Sequence, residues 1–327
     1  MNLQTKISLS KQSDNLIDYN SKLLLLGSCF SENIGNKLEY FKFQSYHNPL
    51  GILFHPKAIE NLVSHAVADK IFLEDDVFQY NDLWHCFDAH SKLSSSVKND
   101  VLQTLNTQIQ VTKKNIQDAT HVIITLGTAW VYRFVKTHNI VANCHKVPQK
   151  EFNKELLTVD DICHTLQNIS TLIRNLNSKV SILFTVSPVR HIKDGFVENM
   201  QSKAHLIAGI HKMIGQELTR NHQLLIVNQK SYYFPSYEIM MDELRDYRFY
   251  NEDMIHPNQT AVNYIWEKFK VVWISEESYE VMEHVETIQK GLQHKPFNPN
   301  SEAHQKFLQK LEVKKAQIIS KFPHISF

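Results

Sequence analysis

An α/β fold is predicted, with an open parallel sheet between two layers of helices and a helical extension at the carboxyl end. Short, nearly unbroken apolar runs at residues 22–27, 121–127 and 180–187 have the composition of parallel strands buried on both faces, and each ends in small or turn-forming residues. Helical periodicity alternates with them at residues 101–118, 158–176, 202–220 and 259–273, which is the pattern of a sheet covered on both sides. Past residue 277, charged residues mix with Leu, Ile and Phe at helical spacing, as in residues 307–319, and Pro296-Phe-Asn-Pro299 divides this tail into two helices. Residues 1–276 are therefore expected to form the α/β domain and residues 277–327 the extension. A shorter apolar run at residues 224–228 is a candidate fourth strand.

The chain has 327 residues, enough for one large α/β domain with appendages, and its 43% hydrophobic content excludes disorder as the main state. Lys and Arg number 35 against 34 Asp and Glu, so no overall basic field exists to grip a phosphate backbone, and nucleic acid is not expected as a partner. Cys29, Cys86, Cys144 and Cys163 lie at wide spacings without a Cys-x-x-Cys pair, which argues against a disulfide framework or a zinc site. No cofactor or metal is expected. The first twenty residues are polar and no apolar run reaches membrane-spanning length, so a cytoplasmic protein without a membrane span is expected.

In open parallel sheets, chemistry collects where the strand carboxyl ends meet their loops. After the first run comes Gly27-Ser28-Cys29-Phe30-Ser31-Glu32, where Gly27 allows a sharp turn and the amides opening the next helix can face a developing negative charge. Ser28 and Cys29 both qualify as nucleophiles, because each carries a hetero-atom that a nearby imidazole could deprotonate. Near the other end of the chain, Asp253-Met-Ile-His256-Pro257 spaces a carboxylate to hold an imidazole whose second nitrogen takes the nucleophile's proton. For each there is a plainer structural role: a small buried thiol at a strand end, and an ordinary turn cap beside one of 18 histidines.

Together, Gly27-Ser-Cys-Phe-Ser-Glu and Asp253-Met-Ile-His256-Pro resemble the first and last blocks of the SGNH or GDSL esterase superfamily, and their order in the chain agrees. More closely, Gly-Ser-Cys-Phe resembles the bacterial GSCFA family. Asn143-Cys-His-Lys146, Phe184-Thr-Val-Ser-Pro-Val-Arg-His191 and the segment from Tyr233 to Phe249 add to that likeness. The superfamily resemblance implies an SGNH/flavodoxin-like sheet and an ester hydrolase or O-acyltransferase acting on a small-molecule or glycan ester. It puts Cys29 at the nucleophile position and Ser28 where the superfamily has Asp. It also implies that Asn48-Pro-Leu-Gly51 is the second block, with the Gly51 amide helping the Cys29 amide hold the oxyanion. The third block, usually Gly-x-Asn-Asp, reads Gly127-Thr128-Ala-Trp130, so the oxyanion-donating Asn is missing. Losing such a donor typically costs ~3 kcal/mol of transition-state stabilisation. Thr128, Asn143, His145 and Arg190 are candidate replacements.

Arg190 also suits a carboxylate or phosphate on the substrate, against a plainer ion pair with Asp194. His191 follows it in the same strand-end loop. The alternative function is a catalytically silent protein that keeps the pocket to bind an acylated or glycan ligand.

Overall fold

The computed structural model describes residues 5–223 and 231–327. Its main sheet has five parallel strands: β1 (Lys22–Gly27), β2 (Gln44–His47), β5 (His121–Leu126), β9 (Ser181–Val186) and β10 (Ser231–Phe234), in the order β10-β9-β5-β1-β2. Counted among themselves from the β2 edge, these strands run 2-1-3-4-5, the doubly wound order whose switch point lies between β1 and β5. The candidate fourth strand at residues 224–228 lies outside the described residues. Among the described residues, Ser231–Phe234 forms this edge of the sheet.

Alternation along each strand divides the core in two. Leu24, Leu26, Val122, Ile124, Ile182 and Phe184 point to one face, where they pack under α2 (Pro56–Val67), α3 (Lys98–Asp118), α4 (Val159–Leu176) and α5 (Phe196–Gln223). Leu23, Leu25, Ile123 and Leu183 point to the other, under α1 (Cys29–Tyr40) and α7 (Gln259–Trp273). The tail helices α8 (Glu277–Gln293) and α9 (Glu302–Lys321) belong to this second layer: Val281, Val285, Ile288, Leu311 and Ile318 share one cluster with Trp266 and Phe269. The result is three layers, with the carboxyl-terminal helices thickening one of them.

Two small antiparallel pieces decorate the strand ends. One is the hairpin β3 (Phe78–Tyr80) and β4 (Leu83–His85). The other is a three-stranded ribbon of β6 (Trp130–Phe134), β7 (Ile140–Val141) and β8 (Phe152–Leu156), ordered β7-β6-β8. The ribbon grows from the end of β5 and lines a cavity together with residues that follow β2, β5 and β9. A short helix, α6 (Ser236–Glu238), follows β10 and runs into a single π turn at Ile239–Glu243.

Candidate active site

The turn from β1 into α1 is built for close approach. Gly27 has φ of +130°, and a Cβ there would lie 2.1 Å from the Thr125 carbonyl oxygen, so no larger residue fits. The Gly27 amide donates to Asn48 Oδ1 at 2.9 Å, and the Ser28 amide donates to the Thr125 carbonyl at 3.0 Å. Ser28 is the fully buried N-cap of α1, its Oγ accepting from the Phe30 amide at 3.4 Å. Cys29 is the first residue of the helix and remains a free, half-buried thiol.

Burial is the main influence on that thiol and pushes its pKa up; the Glu32 carboxylate adds to the rise. Lys203 and the amides of Cys29 and Phe30 oppose it. The resting group is thus a thiol with its thiolate-stabilising partners already in position.

Asp253 and His256 are coupled in a tight turn just ahead of α7. Asp253 Oδ1 accepts from the amides of Ile255 and His256 at 2.9 and 3.0 Å, and Oδ2 lies 2.6 Å from His256 Nδ1. The two amides, then the imidazole, hold the carboxyl down at about 2. An ionised carboxylate at Nδ1 requires a proton on that nitrogen, so the neutral ring presents Nε2 as its acceptor. Both side chains are about half exposed, and no hydrogen bond joins Cys29 Sγ to the imidazole.

The oxyanion-side residues divide sharply. The Gly51 amide is spent inside its own turn, donating to the Asn48 carbonyl at 2.8 Å, and Gly51 sits at φ +76° with His90 packed against it. Asn48 has both its backbone and Oδ1 engaged, yet its Nδ2 is buried without an acceptor. The Gly127 amide donates to the Phe54 carbonyl at 2.7 Å. Thr128 Oγ1 bonds Ser202 Oγ at 3.1 Å and receives the Trp130 amide.

Thr128, Asn143, His145 and His191 all line a cavity of about 440 Å³ under the ribbon, together with Phe54 and Trp130. His145 donates from Nε2 to the Cys86 carbonyl at 2.7 Å, and burial pushes its pKa down to about 4. His191 is pushed down to about 3 by burial, then by Lys203 and His256, and its Nε2 has no partner. Arg190 lines a different cavity, of about 590 Å³, which Asp253 also borders. It makes no ion pair with Asp194, which instead meets Lys154 at 2.7 Å.

Comparison with known families decides the chain's kinship. A family model described as the GSCFA family matches residues 22–269, a span that contains both the Cys29 turn and the Asp253–His256 turn. The chain belongs to the GSCFA family. A second model, GSCFA domain protein, C-terminal domain, matches residues 285–327, which covers the second half of α8 and all of α9. A search of curated proteins finds no match.

One residue of this GSCFA site escapes sequence reasoning. Lys203, on α5, is fully buried and donates from Nζ to the carbonyls of Gly127 and Ser187 at 2.7 and 2.8 Å, tying together the ends of β5 and β9. Burial drops its pKa to about 7, with Cys29 pulling the other way. The available signal was its place on the buried stripe of α5, at helical spacing from Leu206, Ile210 and Met213: a lysine on a core-facing stripe marks a specific polar task. Among the described residues no group of His, Cys, Asp and Glu has the arrangement of a metal site, and no helix is long and apolar enough to cross a membrane.

Proposed function

We propose that this GSCFA protein is an SGNH-like acyl-transfer enzyme, an ester hydrolase or O-acyltransferase, with Cys29 as nucleophile. The observation that carries this reading is the Asp253–His256 pair: an ionised carboxylate fixes the tautomer and orientation of an imidazole whose Nε2 is left free as a base.

His256 Nε2 takes the thiol proton as Sγ attacks the acyl carbonyl. The C–S bond forms, the carbonyl π pair moves to oxygen, and collapse expels the alkoxide, which recovers the proton from His256. Water or a second alcohol then attacks the thioester with His256 again as base, the C–S bond breaks, and the departing Cys29 thiolate recovers the proton from His256. The imidazole closes on the thiol when substrate is bound, since catalytic hydrogen bonds commonly tighten only in the complex.

For the oxyanion, the Cys29 amide at the opening of α1 and Asn48 Nδ2 are the better pair of donors, because the Gly51 amide is already occupied. Ser28 suits a capping role rather than attack, since its Oγ is buried on the Phe30 amide. Asn48 thereby takes over part of the work of the missing third-block Asn.

Turnover of aryl esters and thioesters by wild type, Cys29→Ala, Ser28→Ala and His256→Ala tests the assignment. Loss of activity by a factor of about 10³ or more in Cys29→Ala and His256→Ala is expected, by the scale of triad deletions. The unmade Cys29–His256 contact favours a second reading, a binding protein that retains the pocket without chemistry. Equal, background turnover by all four proteins would select it.

A further inference from the structure

The larger cavity, of about 590 Å³, opens between the end of β9, the π turn and the Asp253 turn. Its walls are mainly apolar and aromatic, with Tyr237, Met240 and Tyr250 among them, and three carboxylates stand on its border. Each carboxylate already has a basic partner, two of them arginines and the third the His256 ring. Asp242 lies 3.8 Å from Arg245, Asp246 lies 3.5 Å from Arg248, and Asp253 holds His256 at 2.6 Å.

Arg190 is the exception. Among the described residues its Nη2 meets only the Met241 thioether, at 3.1 Å, and its Nε is buried without an acceptor. Its charge acts on the phenols of Tyr237 and Tyr250, so the guanidinium stands among rings rather than carboxylates. Arg190 as a whole is half-buried, but a guanidinium whose Nε is sealed from water without an acceptor gains from a ligand that supplies the counter-charge.

We propose that Arg190 is an anion-recognition residue, and that this cavity takes a ligand with a carboxylate on an apolar or aromatic body, the carboxylate pairing with the guanidinium. A single negative charge fits better than a phosphate dianion, because Arg190 offers one guanidinium while the other arginine on the cavity, Arg245, already faces Asp242. That the ligand is the acyl or alcohol part of the substrate rests on the acyl-transfer reading; the anion site itself does not.

The test is calorimetric titration of wild type and Cys29→Ala with 4-phenylbutyrate and with its uncharged amide. The acid is expected to bind both proteins about tenfold or more tightly than the amide, the scale of one charge-assisted pair. Arg190→Gln is expected to erase that preference and Arg190→Lys to keep part of it. Equal binding of acid and amide by wild type, no saturable binding of the acid at millimolar concentration, or an unchanged preference in a folded Arg190→Gln protein overturns the proposal. The acid–amide comparison is made on wild type, so it remains decisive even where a variant fails to fold. Acid binding without any thioester turnover would preserve the anion site and remove the acyl-transfer reading.

Discussion

Cys29 is held by opposing charges, and each can be tested separately. Glu32 raises its pKa, so Glu32→Gln is expected to speed alkylation by iodoacetamide near neutral pH and move the pH–rate midpoint down; Lys203→Met moves it up. Midpoints that do not move would remove both groups from the thiol's environment. His55 offers a second test. Its Nδ1 accepts the Ala58 amide at 3.1 Å, capping α2, while Nε2 donates to the Val141 carbonyl at 3.0 Å, so the buried ring must be neutral. Burial places its pKa at about 4, as it does for His145. Between the ordinary 6.5 and about 4 the unfolded chain binds these protons and the folded one does not, so stability falls as pH falls through that window. Each ring contributes roughly 1.4 kcal/mol per pH unit there. Thermal unfolding followed from about pH 7 to about pH 4.5 is expected to show a steep drop in Tm, and a flat profile would contradict it. The strand-to-helix turn at residues 27–32 and the Asp253–His256 pair were legible as sequence strings because local spacing carries them. The side chains of Asn48 and Lys203 acquire meaning only from the Gly27 amide and the Gly127 and Ser187 carbonyls, brought close by other strands.

The strand-to-helix turn of β1 and α1 sets the position of the thiol, and its two supports differ in cost. Gly27→Ala forces a Cβ onto a backbone carbonyl and is expected to prevent folding or displace Cys29, read by soluble yield and circular dichroism. Ser28→Ala removes only the cap and is expected to cost about 1 kcal/mol in denaturant unfolding while leaving Cys29 reactive. A complete loss of turnover in a stable Ser28→Ala protein would point to serine chemistry instead. The central strands and α7 were readable because their apolar runs and periodicity are unbroken, with α7 at Gln259–Trp273 as expected. The edges were not. β2 is the polar string Gln-Ser-Tyr-His with only partial burial, and β10 hides in an aromatic stretch that reads more readily as core packing than as pocket wall. The antiparallel ribbon, built from strands of two to five residues, carries too little periodicity to stand out, yet it roofs one cavity of the site.

At the scale of the whole molecule, the tail helices complete the layer that carries α1 and α7. Trp266 and Trp273, both nearly fully buried, share a cluster with Val285, Ile288 and Leu311. A chain ending at residue 276 is therefore expected to expose this apolar face and aggregate or lose its cooperative unfolding transition, checked by size-exclusion chromatography and calorimetry. A monomeric, cooperatively folding truncation would show the extension to be dispensable. The same long-range folding sets the turn of residues 27–32 at the carboxyl end of β1 and the turn of residues 253–256 beside the cavity that Arg190 borders after β9. Mass spectrometry of the protein quenched during reaction with an aryl thioester reads their partnership most directly. One acyl group is expected on the peptide containing Cys29, absent in Cys29→Ala and strongly reduced in His256→Ala. Substrate consumed with no acyl group on Cys29, or acylation indifferent to His256, would contradict the proposed partnership of thiol and imidazole.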